Sequence, residues 1–563
     1  MENCVLFEDE HLLIVNKPPG INTHRPDPYT TDGIYDWFRK TPGRAGLSTL
    51  HRLDKETSGI LVFGKTALAN QSLTNQFAKR KVKKTYLLLT DRLDTFSRME
   101  HDSFIVRCQI IRDGGSYRVR EVKSASSASG AHRIPDFAET HFKIVEKGRH
   151  CILLEAHPLT GRTHQIRIHA AWKGFPILGD ELYGGTSFGG GLCLHAYQLE
   201  LTHPATKKPL CFKVPAPFST ESALGIAKRA VQTRNAFLAS DAQTNAYRVF
   251  HGSSDGFPGV YMDKLADRLL VSTAEPVSKS QQLSHIQHLA KAVSSESRAT
   301  SIWQKTLLKQ PGKNPLQESS AQLIYSSQKT QEQAADFEIQ ENGIKYKLSF
   351  SEGYSFGIFL DQRENRARIL NRSVSADFPL CGAISSMDEP PELLNAFAYT
   401  CAFSVCGAQA GFHTTSLDLS RKYLEWGKEN MRLNGIDPSE HDFIYGDVFT
   451  WRKRLKNKGR LFDLVILDPP TFSRSKESGT FKADRDLPRL SREWAELVKP
   501  NGFMLISTNC ATLPPRIFEK TLLQTLNQGG RRVLRSYFAT QPIDFPASSE
   551  EKAYLKTLWV QLS

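Results

Sequence analysis

Short apolar runs separated by glycine- and proline-rich turns fill the first part of the chain. Within residues 1–215 these runs are HLLIVNK, GILVFGK, TYLLLT, SFIVRCQI, HFKIVEK and CILLEAHP. Runs of this kind predict strands joined by turns. We therefore expect an α+β domain with a mainly antiparallel sheet. The polar segment 113–133, rich in serine and glycine, is expected to form a mobile loop or a hairpin within this domain.

The pattern changes after Pro215. A linker helix is expected next, and residues 246–275 predict two strands around a Gly/Pro turn. A helix near 279–293, a strand near 300–308 and a loop complete a small α+β domain. From about residue 337, apolar strands alternate with helices, which predicts a largely parallel, doubly wound α/β sheet. The expected divisions of this multidomain chain are 1–218, 219–245 (the linker helix), 246–336 and 337–563.

The length of the chain indicates several domains, and its net charge indicates the kind of partner. A chain of 563 residues is too long for a single hydrophobic core. Its 73 basic and 59 acidic side chains give a net charge of +14, which favours a polyanionic partner. Charge alone does not separate RNA from DNA or from a membrane surface. Basic stretches at 79–84 and 452–460 flank candidate sites, which favours phosphate contacts, although each also fits a solvated helix face.

Cysteine usage and hydropathy exclude several classes of protein. The nine cysteines are scattered, and no pair has C-x-x-C spacing. This pattern predicts reduced thiols in a cytoplasmic protein, without a disulfide framework or a zinc site. No metal is expected, because the histidines do not cluster with cysteines at ligand spacing. No apolar run approaches the roughly 20 residues that span a bilayer, and the acidic N-terminus does not resemble a signal peptide.

One carboxylate stands out in the first domain. Asp54 lies in HRLDKETSG at residues 51–59, and Arg167 ends the stretch GRTHQIR at 161–167. An Asp–Arg pair can be a nucleophile with its electrostatic support. It can equally be a structural ion pair, and these two residues alone favour the structural interpretation.

The surrounding motifs change that balance. Lys17-Pro18-Pro19-Gly20, HRLDKETSG, Lys84-Thr85-Tyr86, LTGRTHQIRIHA, GDELYGG and Leu194-His195-Ala196 follow one another in this order. The series resembles the RluA family of pseudouridine synthases and covers about the first 215 residues. The resemblance implies isomerisation of uridine to pseudouridine in ribosomal or transfer RNA, without a cofactor. Such chemistry requires the uridine to be flipped out of its stack.

The resemblance also implies roles for individual residues. Asp54 would be the catalytic carboxylate, Arg167 would hold it charged, Tyr86 would stack on the base, and Arg52 would fill the vacated space in the RNA helix. His51, His164 and His169 are expected to be mainly hydrogen-bonded scaffold. The residues expected to contact RNA are Arg52, Lys79, Arg80, Lys83, Arg162, His164 and, from the second half, Phe472.

In the doubly wound half, acids follow three successive predicted strands. Asp418, Asp447 and Asp468 occupy these positions, and doubly wound sheets bind ligands at the carboxyl ends of their strands. Asp418 and Asp447 also fit helix N-caps. Three acids followed by Pro469-Pro470 nevertheless favour a nucleoside cofactor.

Five motifs follow in the second half of the chain: RVFHGSSDGFPGVYMDK, GIFLDQRENR, LNAFAYT, LDLSRKYLEWGKENMRLNG and LDPPTFSRSK. They resemble class I S-adenosylmethionine-dependent methyltransferases, and within them the RlmI and RlmK groups that act on 23S ribosomal RNA. The resemblance implies S-adenosylmethionine as cofactor and Asp468 as a catalytic residue. The implied cofactor-binding residues are Asp361, Gln362, Arg363, Ala398, Thr400, Asp418, Leu419, Asp447, Asp468 and Pro469.

This half departs from the family pattern in two places. Tyr399-Thr400-Cys401-Ala402 stands where the family usually has Tyr-Thr-Gly-Gly, which leaves cofactor binding open. Family members that methylate cytosine C5 carry a cysteine whose thiolate attacks carbon 6, and the matching position here is Asn509. Cys510 is one position later and is expected to be a small buried residue. Guanine N7 is therefore favoured over cytosine C5 as the methyl acceptor.

Three functions remain open at this point. The leading hypothesis is a bifunctional RNA-modifying enzyme, with 23S ribosomal RNA as the favoured partner, present as a monomer or weak dimer. The second is a pseudouridine synthase whose methyltransferase-like half is an inactive RNA-binding module, an alternative that rests on Cys401-Ala402. The third is a non-catalytic ribosome-assembly factor.

Overall fold

The computed structural model describes most of the chain. The described residues are 4–41, 43–97, 101–114, 116–121, 136–148, 151–186, 188, 191–218, 222–238, 243–274, 283–307, 320–327, 335–352, 355–380, 389–475, 479–547 and 551–563.

The first domain is built on a single sheet. Among the described residues, eleven strands form it in the order β1-β2-β4-β10-β5-β9-β8-β6-β7, with β3 on β4 and β11 on β10. The strands are β1 (Val5–Glu8), β2 (Leu12–Lys17), β3 (Ser48–Thr49), β4 (Ser58–Gly64), β5 (Lys83–Thr90), β6 (Ser103–Asp113), β7 (Ser116–Arg120), β8 (Phe137–Lys147), β9 (Ile152–Pro158), β10 (Leu194–Thr202) and β11 (Pro209–Lys213). Its helices are α1 (Ile34–Lys40), α2 (Ala67–Ala78), α3 (Leu93–Ser97) and α4 (Gln165–Trp172).

The prediction of a mainly antiparallel α+β domain is confirmed. Only the short register between β4 and β10 is parallel among these pairs. Within the segment predicted as a loop or hairpin, β7 pairs with β6, so that part is a hairpin. Residues 122–133 of that segment lie outside the described ranges.

The middle of the chain forms a second, five-stranded sheet in the order β12-β13-β14-β15-β16 across its described residues. Its strands are β12 (Ala246–His251), β13 (Val260–Leu265), β14 (Arg268–Ala274), β15 (Ser301–Leu307) and β16 (Gln322–Ser326), and its helices are α5 (Ser222–Leu238) and α6 (Leu283–Ser297). Helix α5, predicted as a linker, shares a core with this sheet, because Ala227 and Val231 pack among Val249 and Val260.

Two predictions in this region needed correction, and the helix predicted near 279–293 is confirmed. The first predicted strand is a hairpin, since the Gly252–Asp255 turn separates β12 from β13, and 246–275 therefore holds three strands. The predicted helix 279–293 begins at Leu283 in the described residues and runs on to Ser297. The loop expected after 300–308 contains the edge strand β16, whose mostly exposed residues lack the alternation that marks a half-buried strand.

The last domain confirms the predicted doubly wound sheet. Its described strands run in the order β23-β22-β21-β24-β27-β29-β28, and all pairs are parallel except those of β29 with β27 and β28. The strands are β21 (Glu392–Ala396), β22 (His413–Asp418), β23 (Asp442–Tyr445), β24 (Phe462–Leu467), β27 (Val498–Thr508), β28 (Val533–Thr540) and β29 (Lys556–Leu562), with hairpins β17 (Asp336–Glu341)–β18 (Ile344–Ser349), β19 (Ser373–Ser375)–β20 (Phe378–Pro379) and β25 (Phe472–Ser475)–β26 (Gly479–Lys482). The helices are α7 (Arg363–Leu370), α8 (Ala402–Gln409), α9 (Arg421–Leu433), α10 (Val448–Asn457), α11 (Ala483–Ala495) and α12 (Pro515–Gln528).

Described residues of the first and last domains touch one another. The ring of Tyr29 packs edge-on against Phe538 of β28, with a centroid distance of 5.3 Å. Ile543, which follows β28, packs against the core of the first domain. The two halves therefore share an interface beside the first sheet.

No helix in the described part of the chain is long and apolar enough to cross a bilayer. The eight cysteines that fall in the described ranges are free thiols, and Cys381 lies outside these ranges. Within the same residues, His, Cys, Asp and Glu side chains do not gather in groups of three that would hold a metal ion.

Candidate active sites

A cleft of about 1100 Å³ opens on the first sheet, and the motifs singled out in the sequence line it. Its walls come from the turn before β4, the start of β5, and the segment that leads from β9 into α4. The lining includes Asp54, Tyr86 and Arg167, so side chains far apart in sequence meet in one place. A cleft of this size accommodates a nucleotide.

The turn that carries Asp54 is fixed from below. Lys17, fully buried, donates from Nζ to the carbonyls of Pro18, Ile21 and Lys55 at 2.9, 2.8 and 3.0 Å. Burial lowers the pKa of Lys17 to about 7. Three carbonyl acceptors satisfy an ammonium that would otherwise be costly to bury. The lysine thus ties the KPPG turn to the residue that follows Asp54.

Glycine is required where this turn enters β4. Gly59 has φ +112°, and a Cβ at this position would lie 2.3 Å from the carbonyl oxygen of Ala196. Only glycine allows such an approach. The stretches HRLDKETSG and LHA therefore interlock through the backbone, which explains why the motif ends in glycine.

Arg167 lies between two carboxylates. Its Nε and Nη2 donate to the two oxygens of Asp180 at 2.8 and 2.7 Å, and both side chains are buried. Its Nη1 faces Oδ2 of Asp54 at 3.6 Å. The expected pairing with Asp54 is present, but the hydrogen-bonded partner of the guanidinium is Asp180. Asp180 thus fixes the planar guanidinium, while Nη1 points towards the half-buried Asp54.

His164 lies on the other side of Asp54. It precedes α4 with φ +54°, and its Nε2 is 3.8 Å from Oδ2 of Asp54. Its Nδ1 lies 2.7 Å from the hydroxyl of Tyr183, whose ring in turn sits under the Arg167 guanidinium at 5.1 Å. Burial lowers the pKa of His164, which favours the neutral ring. His164 is therefore both part of the hydrogen-bonded scaffold and a lining residue of the cleft.

Tyr86 and Arg52 occupy different depths of the cleft. Tyr86 is on β5, opposite Ala196 and Ala156, and its side chain is almost completely buried. Burial, followed by the charge of Asp54, raises the pKa of Tyr86 well above its usual range, so its hydroxyl stays protonated. Arg52 is exposed at the mouth of the cleft.

His51 and His169 are scaffold, as expected. The ring nitrogen Nε2 of His51 accepts from the amide of Val62 at 3.2 Å, and burial lowers the pKa of His51 to about 3. His169 is fully buried between Thr140 and Cys108. Neither ring faces Asp54.

The two basic stretches differ in their partners. Arg80, Lys83 and Arg162 line the cleft, whereas Lys79 lies just beyond α2 and outside it. Lys83 and Arg162 have loose acidic neighbours, Glu200 at 3.5 Å and Asp136 at 3.4 Å.

Half of the cations in the second basic stretch are paired with acids. Arg452 and Lys456 both pair with Glu496, at 2.5 and 2.7 Å, and Arg460 pairs with Glu392 and Asp442. Three of the six cations in 452–460 thus serve ion pairs on the surface of the last domain, which leaves fewer of them for the expected phosphate contacts.

In the last domain, the three acids do gather at one edge of the sheet. Asp418 ends β22, Asp447 follows β23, and Asp468 follows β24. The carboxylate of Asp418 accepts the amides of Tyr399 and Ser420, each at 2.8 Å. Asp447 caps α10 by accepting from Phe449 and Thr450, so the N-cap interpretation holds for this side chain.

Cys401 stands where the family usually has glycine, and the backbone there adopts a conformation that glycine favours. Phe397, Tyr399 and Cys401 have φ of +63°, +47° and +60° in the loop between β21 and α8. Cys401 thus adopts the left-handed conformation that glycine favours. Its fully buried sulfur lies against Gly427, where an added Cβ would be 2.4 Å from Sγ.

The same loop carries two expected cofactor-binding residues. Thr400 is fully buried and donates to the carbonyl of Gly357 at 2.6 Å, and Ala398 is buried beside it. Leu419, at the end of β22, is 50% exposed and leaves an apolar surface next to Asp418. A curled loop, an acid and an exposed apolar side chain fit the sugar and base of a nucleoside.

Two carboxyls lie together in the centre of this edge. Burial, with the neighbouring Asp361 as the next cause, raises the pKa of Asp468 to about 7. Burial likewise raises the pKa of Asp361, which Tyr554 supports by a hydrogen bond. Gln362 donates to Ser507 at 2.8 Å and also bonds to Asp468. Asp361, Gln362 and Asp468 thus form one network, with Pro469 buried behind it.

Arg363 has a partner that the sequence did not indicate. Its guanidinium is buried and donates to both oxygens of Asp544 at 3.0 and 2.7 Å. The side chain therefore anchors the segment after β28 and orients its neighbour Gln362.

The position expected for a catalytic thiol is occupied by Asn509. Asn509 is exposed and accepts a hydrogen bond from Thr471 at 2.5 Å. Cys510 is buried, as expected, with its sulfur 3.3 Å from Thr512. Phe472, next to Thr471, is 59% exposed at the start of the β25–β26 hairpin.

Sequence analysis missed four contributors to these sites. Asp180 lies in the GDELYGG motif that was noticed without a role, and an acid in a motif beside the arginine stretch could have pointed to it. Lys17 was likewise noticed in KPPG only as part of the resemblance. Tyr554 and Asp544 come from the C-terminal segment, where no sequence signal links them to Asp361 and Arg363.

The architecture and the two sites define an enzyme that modifies bases of a nucleic acid at two separate centres. Residues 11–172 match the family described as RNA pseudouridylate synthase, and residues 247–526 match the S-adenosylmethionine-dependent methyltransferase family. The chain belongs to both families, with one domain of each. It is an RNA pseudouridine synthase joined to a methyltransferase whose cofactor is S-adenosylmethionine.

Relatives match either half. The chain is 32% identical over 232 residues to Ribosomal large subunit pseudouridine synthase C of Vibrio cholerae, covering 40% of this chain and 69% of that protein. It is 28% identical over 327 residues to the Ribosomal RNA large subunit methyltransferase of Deinococcus radiodurans, covering 58% of this chain and 74% of that protein. The crystal structure of SMU.776 complexed with SAH aligns with a TM-score of 0.50 at 25% identity, covering 64% of this chain and 87% of that chain.

Proposed function

We propose that the first domain isomerises a uridine of large-subunit ribosomal RNA with Asp54 as the catalytic carboxylate. The observation that carries this proposal is the Asp54–Arg167–Asp180 arrangement, in which a fixed guanidinium faces one accessible acid inside a nucleotide-sized cleft. The names of the relatives supply the class of RNA, and 23S ribosomal RNA is the favoured molecule.

The reaction rearranges bonds without a net change in atoms. The bond between C1′ and N1 breaks, the base rotates, C5 bonds to C1′, and the proton lost from C5 is balanced by one gained at N1. Asp54 acts on the sugar or the base, and the Arg167 guanidinium faces its Oδ2 from 3.6 Å. Tyr86, held protonated, stacks on the base at the floor of the cleft.

RNA is held by cations around the mouth of the cleft. Arg52 occupies the space of the everted base, while Arg80, Lys83 and Arg162 meet the phosphates, together with Lys79 beyond the rim and His164 within it. The test is single-turnover conversion of unmodified 23S ribosomal RNA by the full chain. Asp54→Asn should abolish pseudouridine; if the variant still forms it, the assignment of Asp54 is overturned.

For the last domain, we propose methyl transfer to a base of the same RNA. Asp418, Leu419 and Asp447 would hold the nucleoside part of S-adenosylmethionine, and the loop with Ala398 and Thr400 its amino-acid end. The Asp361–Gln362–Asp468 network, anchored by Arg363, would lie with Pro469 beside the target base, and Phe472 would stack on that base. The cofactor supplies an electrophilic methyl group on a sulfonium.

Guanine N7 is the favoured acceptor, with cytosine C5 as the alternative. Guanine N7 is already nucleophilic and requires only orientation, whereas C5 methylation requires a thiolate at C6. The exposed position carries Asn509, and Cys510 is buried. Mass-spectrometric mapping of RNA from a deletion strain distinguishes the two: a missing 7-methylguanosine supports the proposal, and a missing 5-methylcytidine contradicts it.

An inactive, RNA-binding last domain is the second candidate, and Cys401-Ala402 is the observation that favours it. Calorimetry with S-adenosylmethionine separates the candidates, because an active domain must bind it. The hypothesis of a non-catalytic assembly factor is not retained, because both halves of the chain match enzyme families.

We further propose that 1–218, 246–336 and 337–563 act as the synthase, intermediate and methyltransferase domains, with 219–245 joining them. The protein would work in the cytoplasm without a metal, as a monomer or weak dimer. Sedimentation analysis, metal analysis and fractionation of cells test these points.

A further inference from the structure

A second concavity lies beside the synthase cleft. It encloses about 310 Å³ and is lined by one face of α2 together with three lysines. The α2 residues are three or four apart and therefore share a face: Leu68, Gln71, Ser72, Asn75 and Gln76. The cations are Lys79, Lys81 and Lys207. We call this concavity the lysine groove.

The lysine groove concentrates positive charge without a counter-charge. Its lining contains no carboxylate. Among the described residues, none of the three ammonium groups lies within 4.0 Å of a carboxylate, in contrast to Lys83 beside Glu200. Lys207 donates instead to the carbonyl of Pro204. Like charges that converge from separate elements repel one another, and an anion bound in the groove would offset that repulsion.

Helix α2 explains only part of this charge. Lys79 caps its C-terminus, where a cation interacts favourably with the helix dipole. Lys207 comes from the turn between β10 and β11 and has no such role. The groove also offers the polar side chains of Gln71, Ser72 and Asn75 and the 48%-exposed Leu68. Cations, neutral polar groups and an apolar surface together match the phosphate, sugar and base of a nucleotide.

The groove and the synthase cleft are lined by interleaved residues of one segment. In the stretch 79–84, Lys79 and Lys81 line the groove, whereas Arg80, Lys83 and Lys84 line the cleft that contains Asp54. Cations therefore run from one concavity into the other along a single segment. A polymer with regularly spaced phosphates can occupy both at once, and a small free anion cannot.

We propose that the lysine groove binds the phosphates of the RNA strand that flanks the uridine held at Asp54. This inference rests on the proposed synthase function and identifies a part of the substrate path outside the catalytic cleft. Lys81 and Lys207 bind RNA there and take no part in the chemistry.

The test uses the full chain with an unmodified 23S ribosomal RNA transcript, with Lys81→Ala, Lys207→Ala and the double variant. Lys208→Ala is the matched control, because Lys208 is an exposed neighbour in the same turn that does not line the groove. Each phosphate contact to a single strand contributes about 0.7 to the slope of log Kd against log salt. The double variant should lower that slope by about 1.4 and weaken binding roughly 10- to 30-fold near 0.1 M salt. The single-turnover rate at saturating RNA should not change.

The proposal for the lysine groove is overturned if the double variant binds RNA with the same affinity and salt dependence as the wild type and Lys208→Ala, with unchanged melting temperatures. Failure of the proposed function looks different. In that case the wild type forms no pseudouridine in the transcript, whatever the binding data show. Measuring affinity in an Asp54→Asn background keeps binding separate from conversion. RNA affinity then tests the lysine groove, and pseudouridine formation by the wild type tests the proposed function.

Discussion

The side chain of Lys55 donates a hydrogen bond from Nζ to the backbone carbonyl of Ala547, at 3.2 Å. Lys55 follows Asp54, the carboxylate that we propose to be catalytic, and Ala547 lies in the methyltransferase domain between β28 and β29. The same segment carries Asp544, which binds Arg363 beside the acids of the second site. One segment of the methyltransferase domain therefore contacts the turn that carries Asp54 and also contacts Arg363, which lies next to Gln362 of the Asp361–Gln362–Asp468 network.

Tyr29 provides a second contact between the halves, and its replacement should weaken RNA binding by the synthase. Its ring packs on Phe538 with Arg516 over it at 5.4 Å, while His24 and Pro26 of the same loop line the synthase cleft. An aromatic pair contributes about 0.5–1.5 kcal/mol, so Tyr29→Ala should raise the KM for RNA roughly 2- to 10-fold with little change in kcat. Steady-state kinetics measure this.

Tyr29→Phe is the control for that prediction. It retains the ring and removes only the hydroxyl, whose hydrogen bond to Glu519 raises the pKa of Tyr29. This variant should behave like the wild type. A KM for Tyr29→Ala equal to that of Tyr29→Phe would show that the contact does not position the cleft.

Asp180→Asn should damage both the synthase rate and the fold. The substitution leaves the buried guanidinium of Arg167 with Asp54 as its remaining carboxylate, and breaking a buried pair costs about 3–5 kcal/mol. We expect a melting temperature lower by several degrees and a single-turnover rate at saturating RNA at least tenfold lower. Asp113→Asn, which removes an exposed partner of Arg118, should change neither quantity. An unaltered rate in Asp180→Asn would rule out a positioning role.

Asp468 predicts a specific pH dependence of stability. Its pKa rises from 3.8 in the unfolded chain to about 7 in the folded protein. The stabilisation from the protonated form is complete below about pH 4 and is lost as the pH rises through 7, with an upper bound of about 4 kcal/mol. The free energy of unfolding of the wild type, measured with denaturant, should therefore fall more over this pH window than that of Asp468→Asn. Parallel pH profiles would contradict the shift.

The loop with Cys401 should already have the conformation that glycine would give. Because Cys401 adopts φ +60°, Cys401→Gly with Ala402→Gly should change the Kd for S-adenosylmethionine by less than about threefold, or under about 0.7 kcal/mol. Calorimetry measures this. A gain of more than tenfold would mean that the natural loop impairs the cofactor site and would favour the inactive-domain hypothesis.

Periodicity and motifs predicted the large features of this protein because they are local. Alternation of strands and helices after residue 337 defines the doubly wound sheet, and acids at strand ends must meet at one edge. β16 was missed because exposed residues on an edge strand carry no alternation. The β12–β13 hairpin was missed because the prediction of a single strand passed over the Gly-, Ser- and Pro-rich connection 252–259. The role of Asp180 depends on which way the Arg167 guanidinium faces, which spacing does not reveal.

The sequence also did not predict contacts between residues that lie far apart along the chain. Asp544 and Tyr554 reach Arg363 and Asp361 across most of the last domain, and Glu496 neutralises Arg452 from another helix. A basic stretch in sequence shows charge but not the acids that three-dimensional packing places against it.

We propose that one chain contains two chemically separate centres, with Asp54 serving the first and Asp468 the second. The direct test maps modified nucleotides by mass spectrometry in large-subunit ribosomal RNA from a deletion strain complemented with the wild type, Asp54→Ala or Asp468→Ala. Asp54→Ala should lose one pseudouridine and retain the methylated base, and Asp468→Ala should lose the methyl group and retain the pseudouridine. Retention of every pseudouridine with Asp54→Ala, or loss of both modifications from that single change, would contradict the account.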